Sequence, residues 1–192
     1  MNLEAASFLA EWRDIHSEIP PVGYLLRKGG AKHWVRFHAL PESKRYPESV
    51  EEEHVVLGRA QALGEEVLGD GAECWLVQSG APGPERPHDA FDARSRFGLE
   101  FICSFINHSQ GWPVHAARVT WRRSVFDSLF IAVAHERAAP TLWFSPERRA
   151  VFAPYDGGFD LFLRSREEVS RQRHVHSSWL SGRHDCLYLL AE

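Results

Sequence analysis

The chain is poor in cysteine, with three in 192 residues (Cys74, Cys103 and Cys186), far apart and without a CxxC pair. That spacing excludes a zinc ribbon and a thioredoxin-like redox site. Cys74 and Cys103 fall inside apolar, strand-like runs, where a free thiol behaves as a small buried hydrophobe. There is no excess of positive charge: 22 Lys and Arg stand against 26 Asp and Glu, for a net charge of −4. A chain of this balance lacks the basic footprint that nucleic-acid binding needs to displace counterions. Long hydrophobic runs are missing as well. The longest, Leu129 to Ala134, is far too short to span a bilayer, and Met1 to Glu11 is mixed and acidic, unlike a secretory signal. No GxGxxG or GxxxxGK[ST] turn is present, which removes the usual dinucleotide and P-loop readings, and no GxSxG elbow supports a serine nucleophile. The expectation is a cytoplasmic protein with no membrane, nucleic-acid, metal or cofactor association.

What the chain does have is apolar bulk. It is 44% hydrophobic, with seven Trp and twelve Phe, enough for one α+β domain over residues 1–192 with a substantial core. Phe8, Trp12, Ile15 and Ile19 recur at helical spacing, with Asn2 as the candidate cap and Pro20-Pro21 as the stop. His33 to Ala39 alternates as a strand. Ser49 with Glu52 forms a capping box for a helix whose buried stripe is Val56, Ala60, Leu63 and Val67, closed by Gly69. Cys74 to Gln78 reads as a strand. Residues 79–96 are rich in Pro and Gly and read as a surface loop. Leu99 to Phe105, apolar on nearly both faces, reads as a central strand, and Ala117 to Trp121 as the next. A helix capped by Ser124 with Asp127 buries Phe126, Leu129, Phe130 and Val133. Three further strands follow at Leu142–Phe144, Val151–Ala153 and Phe159–Leu163, and a last helix opens at Ser165 with Glu168 and ends near Trp179 to Gly182. This order, with its hairpin-like links and without strict βαβ alternation, predicts a mainly antiparallel sheet with helices packed on it.

The most informative stretch is Trp34 to Pro47. Period-two alternation puts Trp34, Arg36 and His38 on one strand face, and the face runs into a Pro-bounded loop bearing Lys44, Arg45 and Tyr46. Arg36, His38, Lys44 and Arg45 are the candidate ligand contacts: a planar fork, a proton acceptor and point charges, suited to phosphate or carboxylate. Glu51, Glu52 and Glu53, in the first turn of the next helix, would repel such an anion. A structural reading therefore pairs Lys44 and Arg45 with those carboxylates. Asp160 alternates away from Phe159 and Leu161 and is the candidate carboxylate partner for His38. Tyr155-Asp156-Gly157-Gly158 is a hairpin turn in which at least one glycine is expected at positive φ. His174 and His176 are two apart on a helix and cannot ligate one metal together. His184-Asp185-Cys186 is too close-packed for a Cys-His nucleophile pair.

Arg36-Phe37-His38-Ala39-Leu40-Pro41-Glu42-Ser43-Lys44-Arg45-Tyr46-Pro47 resembles an element shared by an uncharacterised bacterial protein family, a domain of unknown function. Pro154-Tyr155-Asp156-Gly157-Gly158-Phe159-Asp160 and Trp179-Leu180-Ser181 match further features of that family. The resemblance runs from about Pro20 to Leu187. It implies a bacterial source and a single domain, and transfers no activity. Two functional classes stay open. One is a non-catalytic binding domain of immunity-like or regulatory type, contacting a protein partner or a small anionic ligand. The other is an enzyme acting on a phosphorylated or otherwise anionic small molecule, with Arg36 and Arg45 holding charge and His38, with Asp160, moving a proton.

Overall fold

A computed structural model describes residues 3–80 and 91–180. The Asn2 cap, His184-Asp185-Cys186, the Ser181-Gly182 end of the last helix and residues 81–90 of the Pro/Gly-rich stretch lie outside the described residues. Helices α1 (Leu3–His16) and α2 (Gly23–Lys28) precede β1 (Trp34–His38) and a single 3-10 turn, Pro41–Ser43. Then follow α3 (Val50–Leu68), β2 (Glu73–Ser79), α4 (Ala93–Phe97), β3 (Glu100–Asn107), β4 (Gln110–Thr120) and α5 (Asp127–Ala134). The chain continues through β5 (Thr141–Ser145), β6 (Ala150–Tyr155), β7 (Gly158–Phe162) and α6 (Arg166–Val175) to a 3-10 turn at Ser177–Trp179. The seven strands form one sheet in the order β1-β7-β6-β5-β2-β4-β3, and every pairing is antiparallel. The architecture is α+β, as predicted.

Both faces of the sheet are covered. On one, Val35, Phe37, Leu76, Trp143, Phe152 and Leu161 meet the α3 stripe (Val56, Ala60, Leu63, Val67), α5 through Leu129, Phe130 and Val133, and α6 through Val169. On the other, Trp34, Trp75, Val77, Phe144, Val151 and Phe162 meet Phe8, Leu9 and Trp12 of α1, with Val22 and Leu26. Hence β5 and β7 are buried at every position. A fully buried side chain of this size contributes roughly 1.5–3 kcal/mol. Two indoles find a partner at the helix layer, Trp12 Nε1 donating to the Ile19 carbonyl (2.8 Å) and Trp75 Nε1 to Glu11 Oε2 (2.6 Å), whereas Nε1 of Trp34, Trp112, Trp121 and Trp143 is buried without a partner. Helix α3 lies tight on Trp121, just past the end of β4, because Gly64 has no side chain, and a Cβ there would sit 2.1 Å from the Trp121 ring.

Local sequence signals set the termini of α3 and α6. Ser49 and Ser165 accept from Glu52 N and Glu168 N, both at 3.3 Å, and α3 stops at Gly69 with φ 91°. Four expectations need correction. β3 is an edge strand, not a central one: a register shift between Phe101 and Cys103 breaks its alternation, so Ile102 and Phe105 are buried while Phe101 and Ile106 are exposed. Ser124, at φ 65°, does not cap α5, whose N-cap is Phe126 without a side-chain bond. The last helix ends at Val175, where His176 closes it and the chain tightens into a 3-10 turn. The Asp156-Gly157 hairpin forms as predicted, yet neither Gly157 nor Gly158 is among the positive-φ glycines. What requires glycine at 158 is crowding from β1, since an added Cβ would lie 2.0 Å from the Phe37 carbonyl oxygen. Helices α2 and α4 were not foreseen. α2 has no side-chain cap, and α4 is a single turn capped by Asp92 on Ser95 N (3.1 Å) inside the Pro/Gly-rich stretch.

Candidate functional site

The polar face of β1 is organised by strand register. Arg36 stands directly opposite Asp160 on β7, and Asp160 in turn opposite Ala153 on β6. Arg36 Nε donates to Asp160 Oδ1 and Nη2 to Oδ2, both at 2.7 Å. The fork is bidentate, and only 11% of the Arg36 side chain and 4% of the Asp160 side chain reach solvent. The Arg36 guanidinium also lies over the Tyr155 ring (4.5 Å) and the Trp34 ring (5.5 Å). Asp160 therefore faces the second core, built on α1 and α2, and not an open cleft.

His38 and its backbone serve different partners. The ring Nε2 lies 3.1 Å from Ser43 Oγ, while the His38 carbonyl accepts from Arg59 Nη1 at 2.8 Å. Arg59 is 9% exposed, and burial lowers its pKa. Its guanidinium covers the Trp179 ring at 5.1 Å, Trp179 stacks on His176 at 4.2 Å, and His176 Nε2 meets Glu66 Oε1 at 3.0 Å. Leu180 completes this closure through an antiparallel bridge to Phe37. The outer edge of β1 is thus covered by the turn after α6.

Beyond His38 the chain enters a strained turn. Glu42 (φ 55°) and Ser43 (φ 62°) are consecutive non-glycine residues in the left-handed region. Each costs on the order of 1–3 kcal/mol and persists only where its surroundings hold it. Ion pairs on both sides do so. Lys44 Nζ reaches Glu48 Oε2 (2.8 Å) and Glu52 Oε1 and Oε2 (2.8 and 2.9 Å). Those bonds, Glu48 first, raise the Lys44 pKa, and Lys44 is the main cause that lowers Glu52. Arg45 binds Asp156 through Nε and Glu136 Oε1 through Nη2 (3.3 Å), and stacks over Tyr46 at 5.0 Å. The Asp156 bond is the chief reason its pKa is raised, while the Tyr46 phenol is pushed up first by burial and then by its bond to Glu136. His135 of the α5 C-cap meets Glu53 at 2.8 Å, so the first turn of α3 is anchored from two directions.

The loop and α3 enclose a shallow groove of about 380 Å³ lined by Leu40, Pro41, Glu42, Lys44, Glu51, Glu52 and Val55. Val50 and Val55 are exposed along that flank of α3. Its lining combines apolar Leu40, Pro41 and Val55 with acidic Glu42, Glu51 and Glu52, and the lining cation Lys44 is held by Glu48 and Glu52. Among the described residues no group of three or more His, Cys, Asp or Glu side chains is placed to hold a metal ion.

The five candidate residues do not share one space. Arg36 and Asp160 are joined within the sheet, His38 leans on Ser43, and Lys44 and Arg45 turn to opposite sides of the loop. The structural pairing is right for Lys44 with Glu52, whereas Arg45 chooses Asp156 and Glu136. Sequence reasoning missed Arg59 and Glu136, and it named Trp179 without placing it against Arg59. Arg59 carried a signal, because it lies three after Val56 and four before Leu63, within the buried stripe of α3. Glu136 and Trp179 are brought in only by tertiary packing. The family model described as Domain of unknown function (DUF3885) matches residues 22–184, and the chain belongs to that family. No curated protein and no solved structure matches the chain.

Proposed function

We propose that this domain is a cytoplasmic, non-catalytic binding protein of regulatory or immunity-like type, and that the Leu40–Val55 groove receives a basic, partly apolar segment of a protein partner. One observation carries this reading: each candidate cation of the Arg36–Arg45 stretch is engaged by an internal carboxylate. Arg36 is held by Asp160, Lys44 by Glu48 and Glu52, and Arg45 by Asp156 and Glu136. A free anion would have to displace those carboxylates. Beside the loop the groove is lined by Leu40, Pro41 and Val55 with Glu42, Glu51 and the Lys44–Glu52 pair, which leaves Glu42 and Glu51 as its excess charge. Potentials of opposite sign favour a cationic partner there. The strained Glu42–Ser43 turn holds one rim carboxylate at the groove, and strain of this kind collects at binding surfaces. The free thiols Cys74 and Cys103 fit a reducing compartment.

A two-arm titration of the full chain, followed by NMR, tests this. A peptide of alternating Lys and Leu is expected to shift the Val50, Val55 and Leu40 methyl signals, with affinity falling as salt rises. Inorganic phosphate is expected to leave the His38 ring signals unmoved. Phosphate binding at His38 that disappears in Arg45→Ala, with the fold intact, would overturn the reading in favour of the enzyme acting on an anionic small molecule.

A further inference from the structure

Where α4 leads into β3, strand register sets four side chains in one row across the sheet: Phe101 on β3, His115 on β4, Gln78 on β2 and Thr141 on β5. The row lies two residues along each strand from Ala117, Leu76 and Trp143, which belong to the first core, so it occupies the α3/α5 face. It runs from open to closed. Phe101 is 56% exposed and stands edge-on to the half-buried His115 ring at 5.5 Å, while Gln78 and Thr141 are 4% and 5% exposed. Two polar atoms along it are buried without a hydrogen-bond partner, Gln78 Nε2 and His115 Nδ1. Thr141 Oγ1, by contrast, donates to the Ala139 carbonyl at 2.8 Å.

Buried polar groups in folded proteins are nearly always bonded, so two orphans on directly opposed residues call for an explanation. Side chains facing each other on neighbouring strands stand about 5 Å apart at Cβ, a span that one planar, two-oxygen group can bridge. Burial first, and then the positive charge of Arg94 on α4, lowers the His115 pKa. A neutral ring with its proton on Nδ1 is a donor, as is the Gln78 carboxamide. With the proton on Nδ1, these two unpartnered nitrogens on opposed residues, beside the Arg94 charge and next to the exposed Phe101 at the sheet edge, suit an acceptor of negative charge.

We propose that this row is a recess for a small carboxylate, held by Gln78 Nε2 and His115 Nδ1, with Phe101 at its mouth. The recess is separate from the Leu40–Val55 groove and does not rest on the reading given for it. Acetate is the probe, added to the full chain at constant ionic strength against a chloride control. Saturable acetate shifts of the Gln78 side-chain amide and the His115 ring are expected. Gln78→Met keeps the bulk and removes the donor, so acetate affinity should fall roughly tenfold or more, while the Tm of the ligand-free protein holds or rises because an unpaired buried donor is gone. His115→Phe, at the more open position, should weaken acetate in the same way and serves if the first variant does not fold. No acetate-dependent shift would mean that an ordered water fills the recess, and the proposal falls. It falls equally if both folded variants bind acetate as the parent chain does.

Discussion

Arg36 and Arg45 are nine residues apart in sequence and live under different physics. Arg36 is fixed by strand register against a carboxylate that is itself almost wholly buried, with aromatic rings at 4.5 and 5.5 Å completing its surroundings. Arg45 has 60% of its side chain in solvent and shares two carboxylates from different elements, Asp156 of the β6–β7 turn and Glu136 beyond α5. The first pair has exchanged water for a preorganised fork, so losing either half strands a charge in the core. The second sits where water screens and replaces each contact, and it orients a loop without holding the fold together. The type of residue is the same, and depth decides what it does.

The hardest test of this contrast is Asp160→Ala, which leaves Arg36 buried without its counter-charge. A loss of about 3–5 kcal/mol in chemical denaturation is expected. Arg36→Met with Asp160→Leu together should recover most of it, because an apolar pair removes both desolvation costs. A single variant as stable as the parent would break the comparison at its buried end.

Next in size is an effect of pH. Burial, with help from the Arg149 charge, lowers the His16 pKa to about 4, and the ring packs against Trp12 at 4.3 Å. The unfolded chain, near 6.5, takes up the proton first, so stability is full above about 6.5 and declines as the pH falls toward about 4. This one group accounts for roughly 3 kcal/mol across that window. His16→Phe should flatten the decline, as read from denaturation midpoints at a series of pH values.

Two glycines of one turn sharpen the comparison on the scale of a single methyl group. Gly158→Ala drives a Cβ into the Phe37 carbonyl and should cost about 1–3 kcal/mol. Gly157→Ala should be nearly silent in thermal melts, since its closest contact is the Tyr155 ring edge at 3.2 Å and its φ is not left-handed. Equal effects would mean that the turn, not the neighbouring β1, sets the need for glycine. Ser49→Ala should cost roughly 1 kcal/mol through loss of the α3 cap. Smallest of all is Lys44→Met at the exposed end of the comparison, a shift in melting temperature below that of Ser49→Ala and vanishing as salt rises.

How much of this was legible in the sequence follows from the range of each interaction. Capping at Ser49 and Ser165, the stripe of α3, the stop at Gly69 and the strands β1, β2, β5, β6 and β7 all depend on residues a few positions apart. So did the resemblance carried by the Arg36–Pro47 run. The errors fall where long-range packing overrules the local pattern. The apolar run of β3 read as central because alternation cannot reveal a bulge, and because α1 buries one face of an edge strand as well as a partner sheet would. Likewise, the Arg36/His38/Lys44/Arg45 cluster read as one site because sequence proximity says nothing about which carboxylate each cation meets.

The sequence by itself determined the class of fold and most of the elements, since helix periodicity, strand alternation and caps are encoded within a few residues. Only the tertiary structure decided that Asp160 would neutralise Arg36, that Glu136 would reach Arg45, that both sheet faces would be buried, and that Gln78 and His115 would stand opposite each other with Gln78 Nε2 and His115 Nδ1 unpartnered. Those outcomes hang on register between strands distant in the chain, where a single-residue slip sends every side chain to the opposite face.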